Sequence, residues 1–369
     1  MKIALVTNGP APYRIPALNR LAETPGISLH VIYCCKREPN REWNLPDSRY
    51  TSTYLRERII RFRDTYIHNN PDVVKALRQA APDVIITTGF NPTHLYAIGY
   101  GLYHGLPHVA MTDGTFDSEQ CLSALHRWIR RFVYARSQAF IYASLGGKRL
   151  YASYGIPDER CFGACLCVDN SAYSSMPDQA RPFDLLFCGR IEAVKNPFFA
   201  LDVARRVAGR LGRPVSILFV GTGSLEQQLK QKALLYRDQV HASFNGFASQ
   251  EQLPGLYQSA RLFLFPSTFD PWGVVANEAC AAGLPVLVSP HAGVAGELVL
   301  DGENGFVAEL EPNLWTGHVL SLLTDPARYQ QFSERSRQVV SRYTFDHASQ
   351  GILTACLAAV SGEAAIRPA

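Results

Sequence analysis

Residues 184–204 read DLLFCGRIEAVKNPFFALDVA, and the order is strand, turn, helix. The apolar run Leu185–Cys188 stops at Gly189, and a loop carrying Arg190 and Lys195 follows. Asn196 and Pro197 then suit the cap and first position of a helix. The same pattern recurs along the chain. KIALVTNG (2–9), SLHVIYCC (28–35), DVIITTG (83–89), HVAMTDG (108–114) and AFIYAS (139–144) come before it. SILFVG (216–221), ARLFLFPS (260–267), PVLVSPH (285–291) and GFVAEL (305–310) come after it, with a further strand ending at Gly246. Short apolar runs closed by Gly or Asp indicate parallel strands covered on both faces.

Strands alternating with helical stretches predict a doubly wound α/β fold. The pattern restarts at Asp184, after the polar, proline-containing stretch 167–183. The expectation is two Rossmann-like domains facing each other across a cleft, 1–168 and 169–345. A last helix in 346–369 crosses back to the first domain, and the tail 363–369 is expected to be disordered. A chain of 369 residues suits two cores.

Composition narrows the function. With 47% hydrophobic and 18% charged residues, the chain reads as globular. No apolar run reaches the roughly 18–20 residues of a membrane span, and the first strand is too short for a signal peptide. The nine cysteines show no framework and are expected as cytosolic thiols. The cluster Cys161, Cys165, Cys167 lacks a partner cluster for metal, so buried thiols are the reading. Residues 1–170 hold 20 Lys and Arg against 14 acids, whereas 171–369 hold 16 against 18. The first half therefore suits an anionic partner, a phosphate-bearing acceptor or a membrane surface. Nucleic acid is not expected, because no recognition module appears.

Chemistry is expected where strands end. TNGPAPYRIPALNRLAE (7–23) places Gly9, Tyr13 and Arg14 between a strand and a helix whose first turn holds Pro16. It is not G-x-G-x-x-G, so a dinucleotide cofactor is unsupported. Gly189, Arg190 and Lys195 offer a planar fork and a point charge to a diphosphate. Gly221 and Gly223 make a Gly-x-Gly turn. STFDPWGVVANEACAAGLP (267–285) puts Asp270 on a loop and Glu278 inside a helix running from near Gly273 to Ala282, capped by Gly283. The N–H groups of residues 273–275 stand between the two acids.

GRIEAVKNP (189–197), FVGTGS (219–224), FNGFAS (244–249), Asp270-x7-Glu278 and GVAGELVLDGENGFV (293–307) together resemble retaining glycosyltransferases of the GT-B fold, family four, over 184–310. APYRIPALNRLA (11–22) resembles a subset of them. The resemblance implies that Arg190 and Lys195 grip the diphosphate of a nucleotide sugar and that Glu278 holds the ribose. Asp270 would stand near the transferred sugar. Backbone amides of Trp272, Gly273, Val274 and Val275 would meet sugar and phosphate, and Gly221, Gly223 and Phe247 would frame the base. It implies no cofactor and no metal, and a donor carrying UDP or GDP. The family signature has Glu where this chain has Asp270. A donor-contacting His of relatives is also missing, since the region reads Thr112-Asp113-Gly114 and His108 reads as a packed residue. Asp113 is taken as its stand-in, with Tyr13, Arg14 and Thr112 on the acceptor side.

The implied reaction is a same-face transfer for glycan biosynthesis. The leaving diphosphate takes the acceptor's proton, and the acceptor is a glycan, lipid-linked glycan or small molecule. A non-catalytic nucleotide-sugar-binding subunit and a double-Rossmann NAD(P) enzyme are the alternatives. LSALHRWIRRFVYARS (122–137) puts Leu125, Trp128, Ile129, Phe132 and Val133 on one helical face and Arg127, Arg130 and Arg131 opposite. A core-facing helix is the preferred reading, and peripheral contact with an anionic membrane is the alternative. The location expected is the cytoplasm or the inner face of the membrane.

Overall fold

The computed structural model describes residues 1–37, 45–62, 65–120, 122–174 and 181–362. The tail 363–369 and part of the 167–183 stretch lie outside them. In chain order the elements begin β1 (Lys2–Thr7), α1 (Ile15–Ala22), β2 (Ser28–Tyr33), β3 (Thr51–Tyr54), β4 (Ile59–Phe62), β5 (Thr65–His68) and α2 (Val73–Ala80). There follow β6 (Val84–Thr87), α3 (Pro92–Tyr103), β7 (His108–Thr112), α4 (Ala124–Tyr134), β8 (Ala139–Tyr142), α5 (Leu145–Ser153), β9 (Cys161–Gly163) and α6 (Asn170–Ser174). Next come β10 (Phe183–Cys188), α7 (Pro197–Leu211), β11 (Val215–Val220), α8 (Glu226–Leu235), β12 (Val240–Gly246), α9 (Leu253–Gln258) and β13 (Ala260–Phe265). The chain ends with α10 (Val274–Ala281), β14 (Val286–Val288), β15 (Gly305–Val307), α11 (Pro312–Leu323), α12 (Pro326–Val340) and α13 (Phe345–Ser361).

The chain forms two compact units: Met1–Leu166 with Phe345–Ala369, and Cys167–Thr344. The first holds a seven-stranded sheet in the order β3-β2-β1-β6-β7-β8-β9, parallel throughout. Strand alternation sorts its core. Ile3 and Leu5 of β1 point to a layer shared with α1 and with Ile352, Ala355 and Cys356 of α13. Ala4 and Val6 point the other way, to Val73 and Leu77 of α2 and Ala97 of α3. Burial on both faces is why these strands read as unbroken apolar runs.

The second unit holds a parallel six-stranded sheet, β12-β11-β10-β13-β14-β15. Leu185, Phe187, Ile217, Phe219, Leu262 and Leu264 face the apolar stripes of α7 and α11, with Trp315 fully buried among them. The sequence did not announce β3, the β4–β5 antiparallel hairpin or the three-residue β9. β3 is TSTY at a sheet edge, largely exposed, and edges need no apolar pattern.

Candidate functional site

In the second unit, the turns at the carboxyl ends of neighbouring strands are stitched together by backbone hydrogen bonds. The N–H of Gly189 donates to Val220 O at 2.9 Å, and that of Gly221 to Gly246 O at 2.7 Å. The N–H of Ile191 donates to Thr222 O at 2.9 Å, and that of Thr268 to Val194 O at 2.9 Å. The turns pack so closely that side chains are excluded. A Cβ on Gly221, at φ +124°, would lie 2.1 Å from Gly189 O. This is the physical need behind the Gly-x-Gly spacing.

The loop after β10 is fixed by its acid. Glu192 accepts hydrogen bonds from Ser224 N at 2.8 Å and Ser224 Oγ at 2.7 Å. The backbone bond from Ser224 is the main reason its carboxyl is held below the usual range. Arg190 is left exposed on this loop. Lys195 is turned inward, where its ammonium pairs with the Asp270 carboxylate. The two side chains are only 17% and 14% exposed, so the pair is largely shielded from water.

Asn196 occupies the cap position of α7 but does not cap it through its side chain. It sits at φ 55° and ψ 51°, and this corrects the expected capping hydrogen bond. Asn tolerates this left-handed turn, which directly follows Lys195.

Asp270 is held from three sides. Its N–H donates to His291 O at 3.1 Å, and its carbonyl accepts from Gly293 N at 2.9 Å. Its Oδ1 accepts from Trp272 N at 3.2 Å. Helix α10 then starts at Val274, with Gly273 at φ +106° before it, and ends at Ala281, so Gly283 falls one residue beyond the cap. The Trp272 indole is buried and donates to Asn277 Oδ1 at 2.8 Å. The N–H groups of Gly273, Val274 and Val275 find no acceptor among the described residues. They form the positive end of the helix, one residue from the Lys195–Asp270 pair's own turn.

Glu278 lies elsewhere, inside α10. The residue is buried and its Oε2 accepts from Tyr257 Oη at 2.7 Å. Burial pushes its pKa up to about 7, against the lowering influence of Tyr257 and Tyr173. Asp270 and Glu278 thus have separate partners. The two tyrosines carry no motif that sequence reading would single out. Phe247, just past β12, is 53% exposed and presents an aromatic face to solvent.

In the first unit, Gly9, Tyr13 and Arg14 line a cavity with Thr7, Thr88 and Met111. Arg14 pairs with Asp113 at the end of β7. Thr112 is buried and its Oγ1 accepts from Gly114 N at 3.0 Å. His108 is buried between Thr87 Oγ1 at 2.9 Å and Ser137 Oγ at 2.8 Å, and burial lowers its pKa to about 3. It is a neutral packing residue. The expected core-facing helix at 122–137 is only half right. Val133 and Tyr134 are buried, but Leu125 and Trp128 are exposed. The eight described cysteines are free thiols, and among the described residues no His, Cys, Asp or Glu group is arranged to hold a metal ion.

Comparison with known proteins finds similarity over the same part of the chain. Residues 176–339 match the family model of glycosyl transferases group 1. A glycogen synthase of Mycobacterium tuberculosis is 32% identical over 201 residues, 53% of this chain and 47% of that protein. A D-inositol 3-phosphate glycosyltransferase of Rhodococcus erythropolis is 28% identical over 191 residues, 50% and 43% of the two chains. The chain thus spans under half the length of these relatives. Among solved structures, Anabaena Alr3699/HepE in complex with UDP superposes with a TM-score of 0.72 at 17% identity, covering 96% of this chain and 98% of that one. The strand-end turns, the Lys195–Asp270 pair and Glu278 all fall inside residues 176–339, the segment that is similar to glycosyl transferases group 1.

Proposed function

We propose that the protein is a retaining glycosyltransferase that moves a sugar from a nucleoside-diphosphate sugar to an acceptor hydroxyl. The observation that carries this reading is the Lys195–Asp270 pair beside the open N–H groups of residues 273–275. Together they offer a cation, backbone donors and a carboxylate within one turn. That set suits a phosphate on one side and sugar hydroxyls on the other.

In this reading Arg190 and Lys195 hold the diphosphate, with Gly189 allowing its close approach. Asp270, released from Lys195 by the incoming phosphate, accepts hydroxyls of the transferred sugar. Amides of Trp272, Gly273, Val274 and Val275 complete that contact. Glu278 takes the ribose, and Gly221, Gly223 and Phe247 frame the base. The bond from sugar C1 to the phosphate oxygen breaks, and a bond from C1 to the acceptor oxygen forms on the same face. The acceptor's proton goes to the departing phosphate. Neither Asp270 nor Glu278 is paired with a nucleophile, which supports a route without a protein general base. No metal ion is needed, because Arg190, Lys195 and the helix end supply the positive charge. Uridine is the favoured base, supported by the UDP bound in the Anabaena relative.

The acceptor is assigned to the first unit, with Tyr13, Arg14 and Thr112 as its contacts, and Asp113 keeps the part of the missing sugar-contacting His. An acceptor bearing phosphate or other anionic groups, lipid-linked glycans included, suits Arg14. The cytoplasm, where nucleotide sugars are made, is the working location.

Thermal stabilisation by a panel of UDP-, GDP-, ADP- and TDP-sugars tests the reading. One donor should stabilise the protein and be slowly hydrolysed, and Arg190→Ala or Lys195→Ala should lower turnover by about 10²–10³. Stabilisation by NADPH and by no nucleotide sugar would overturn it. Donor binding without turnover would leave a binding subunit instead.

A further inference from the structure

Helix α4 leaves its core halfway along its length. Val133 and Tyr134 are buried with Ile98, Phe140 and Tyr151, and Ile129 and Phe132 pack against the same cluster. One turn earlier the apolar stripe continues, but nothing among the described residues covers it. Leu125 is 64% exposed and Trp128 62%. This is an ordered turn: Ser123 caps it by accepting from His126 N at 3.4 Å, and Trp128 stacks on Phe132 with ring centroids 5.9 Å apart.

Charge on this helix is one-sided. Its eleven residues, ALHRWIRRFVY, include three arginines and no acid. At about 100° per residue, Arg127 and Arg131 fall on the flank next to Trp128. Both are exposed, and no described acid pairs with them. Arg130 is turned to the other flank, where its Nε donates to Glu119 Oε1 at 2.6 Å and its guanidinium lies over Phe90. The nearest acid of the preceding turn is thereby neutralised.

We propose that the first half of α4 is a docking surface for an anionic lipid bilayer. Leu125 and Trp128 enter the boundary between headgroups and acyl chains, and Arg127 and Arg131 meet the lipid phosphates. Trp is suited to that boundary, being apolar in body with one N–H at its edge. A second copy of the chain fits less well, because a symmetric contact would set these arginines against each other. A nucleic acid would leave Leu125 without a partner. Among the described residues no helix is long and apolar enough to cross a membrane, so the contact is peripheral. This inference does not depend on the donor chemistry.

Flotation of the full chain with two kinds of vesicle tests it. With vesicles containing phosphatidylglycerol the protein should rise in the gradient; with pure phosphatidylcholine it should not. Brominated lipid should quench tryptophan fluorescence, and Trp128→Phe should remove that quenching. Leu125→Ser with Trp128→Ser, and separately Arg127→Glu with Arg131→Glu, should each lower partitioning by about tenfold or more. Because these side chains are exposed, melting temperatures should stay unchanged, which separates lost docking from lost folding. A chain that stays unbound to both vesicle types would overturn the proposal. So would flotation unaffected by charge reversal, or self-association abolished by Trp128→Ser.

Discussion

The Tyr257 hydroxyl donates to Glu278 Oε2 at 2.7 Å, inside a part of the second unit where both residues are buried. The pair has a consequence for stability. Glu278 has a usual value of 4.5 and is pushed up to about 7 by burial. Between those values the folded chain keeps a proton that the unfolded chain has released. Stability contributed by this group is therefore present below the lower value and is lost as pH rises toward the upper one. Glu278→Gln, neutral at every pH, should be more stable than the parent by about 1–3 kcal/mol at pH 8 and near equal at pH 5. Denaturant unfolding of both proteins across that range checks the difference, and a constant difference would contradict the buried, proton-holding Glu278.

Tyr257→Phe follows from the same contact. The hydroxyl lowers the Glu278 pKa, so its loss should raise that value further. If the ionised carboxylate accepts two ribose hydroxyls, the acid limb of UDP affinity should then move to higher pH. At pH 6 the variant should bind more weakly than the parent by about 3–10-fold, with the gap closing toward pH 9. Calorimetry in buffers of different ionisation heat would also show a proton released on UDP binding. A pH-independent loss would make Tyr257 merely structural.

Much of the candidate site in the second unit was legible because it is backbone-driven. Gly189, Gly221 and Gly273 are dictated by turns at strand ends, and such turns leave glycine in the sequence. The parallel sheets were legible for a similar reason, since burial on two faces forces unbroken apolar runs such as Leu262–Phe265. What escaped was side-chain pairing across long separations. Nothing near Lys195 says that it will find Asp270, 75 positions away. Nothing in α9 marks Tyr257 as the partner of Glu278. Leu125 and Trp128 share the stripe of Phe132 and Val133, and helical periodicity alone does not say where a helix leaves its core.

Gly221→Ala tests the stitched turns. Its φ of +124° disfavours any side chain, and a Cβ would meet Gly189 O at 2.1 Å. The two turns would have to separate, breaking the bonds from Gly189 N–H to Val220 O and from Ile191 N–H to Thr222 O. A loss of about 1–3 kcal/mol in stability is expected. Donor binding should fall as well, because the loop carrying Arg190 rests on this contact. A variant with parent stability and parent UDP affinity would show that the turns can part freely.

Asp270→Asn separates the two duties given to the Lys195–Asp270 pair. In the structure the carboxylate neutralises Lys195, and in the proposed reading an incoming phosphate competes with it. Removing that charge keeps the side chain's size and its acceptor oxygen for Trp272 N. UDP alone should then bind more tightly, by about 3–10-fold, since Lys195 no longer has to leave a partner. If the carboxylate orients the sugar as proposed, sugar transfer should nevertheless fall by about 10²-fold. Asp270→Glu brings in the longer acid of the glycosyltransferases this chain resembles and serves as the counterpart. It keeps the competing charge, so UDP affinity should stay near that of the parent, while the preferred sugar should change if reach decides the fit. Titration with UDP and with a panel of UDP-sugars reads both effects. Weaker UDP binding by Asp270→Asn would show that Asp270 holds Lys195 in place for the phosphate rather than competing with it.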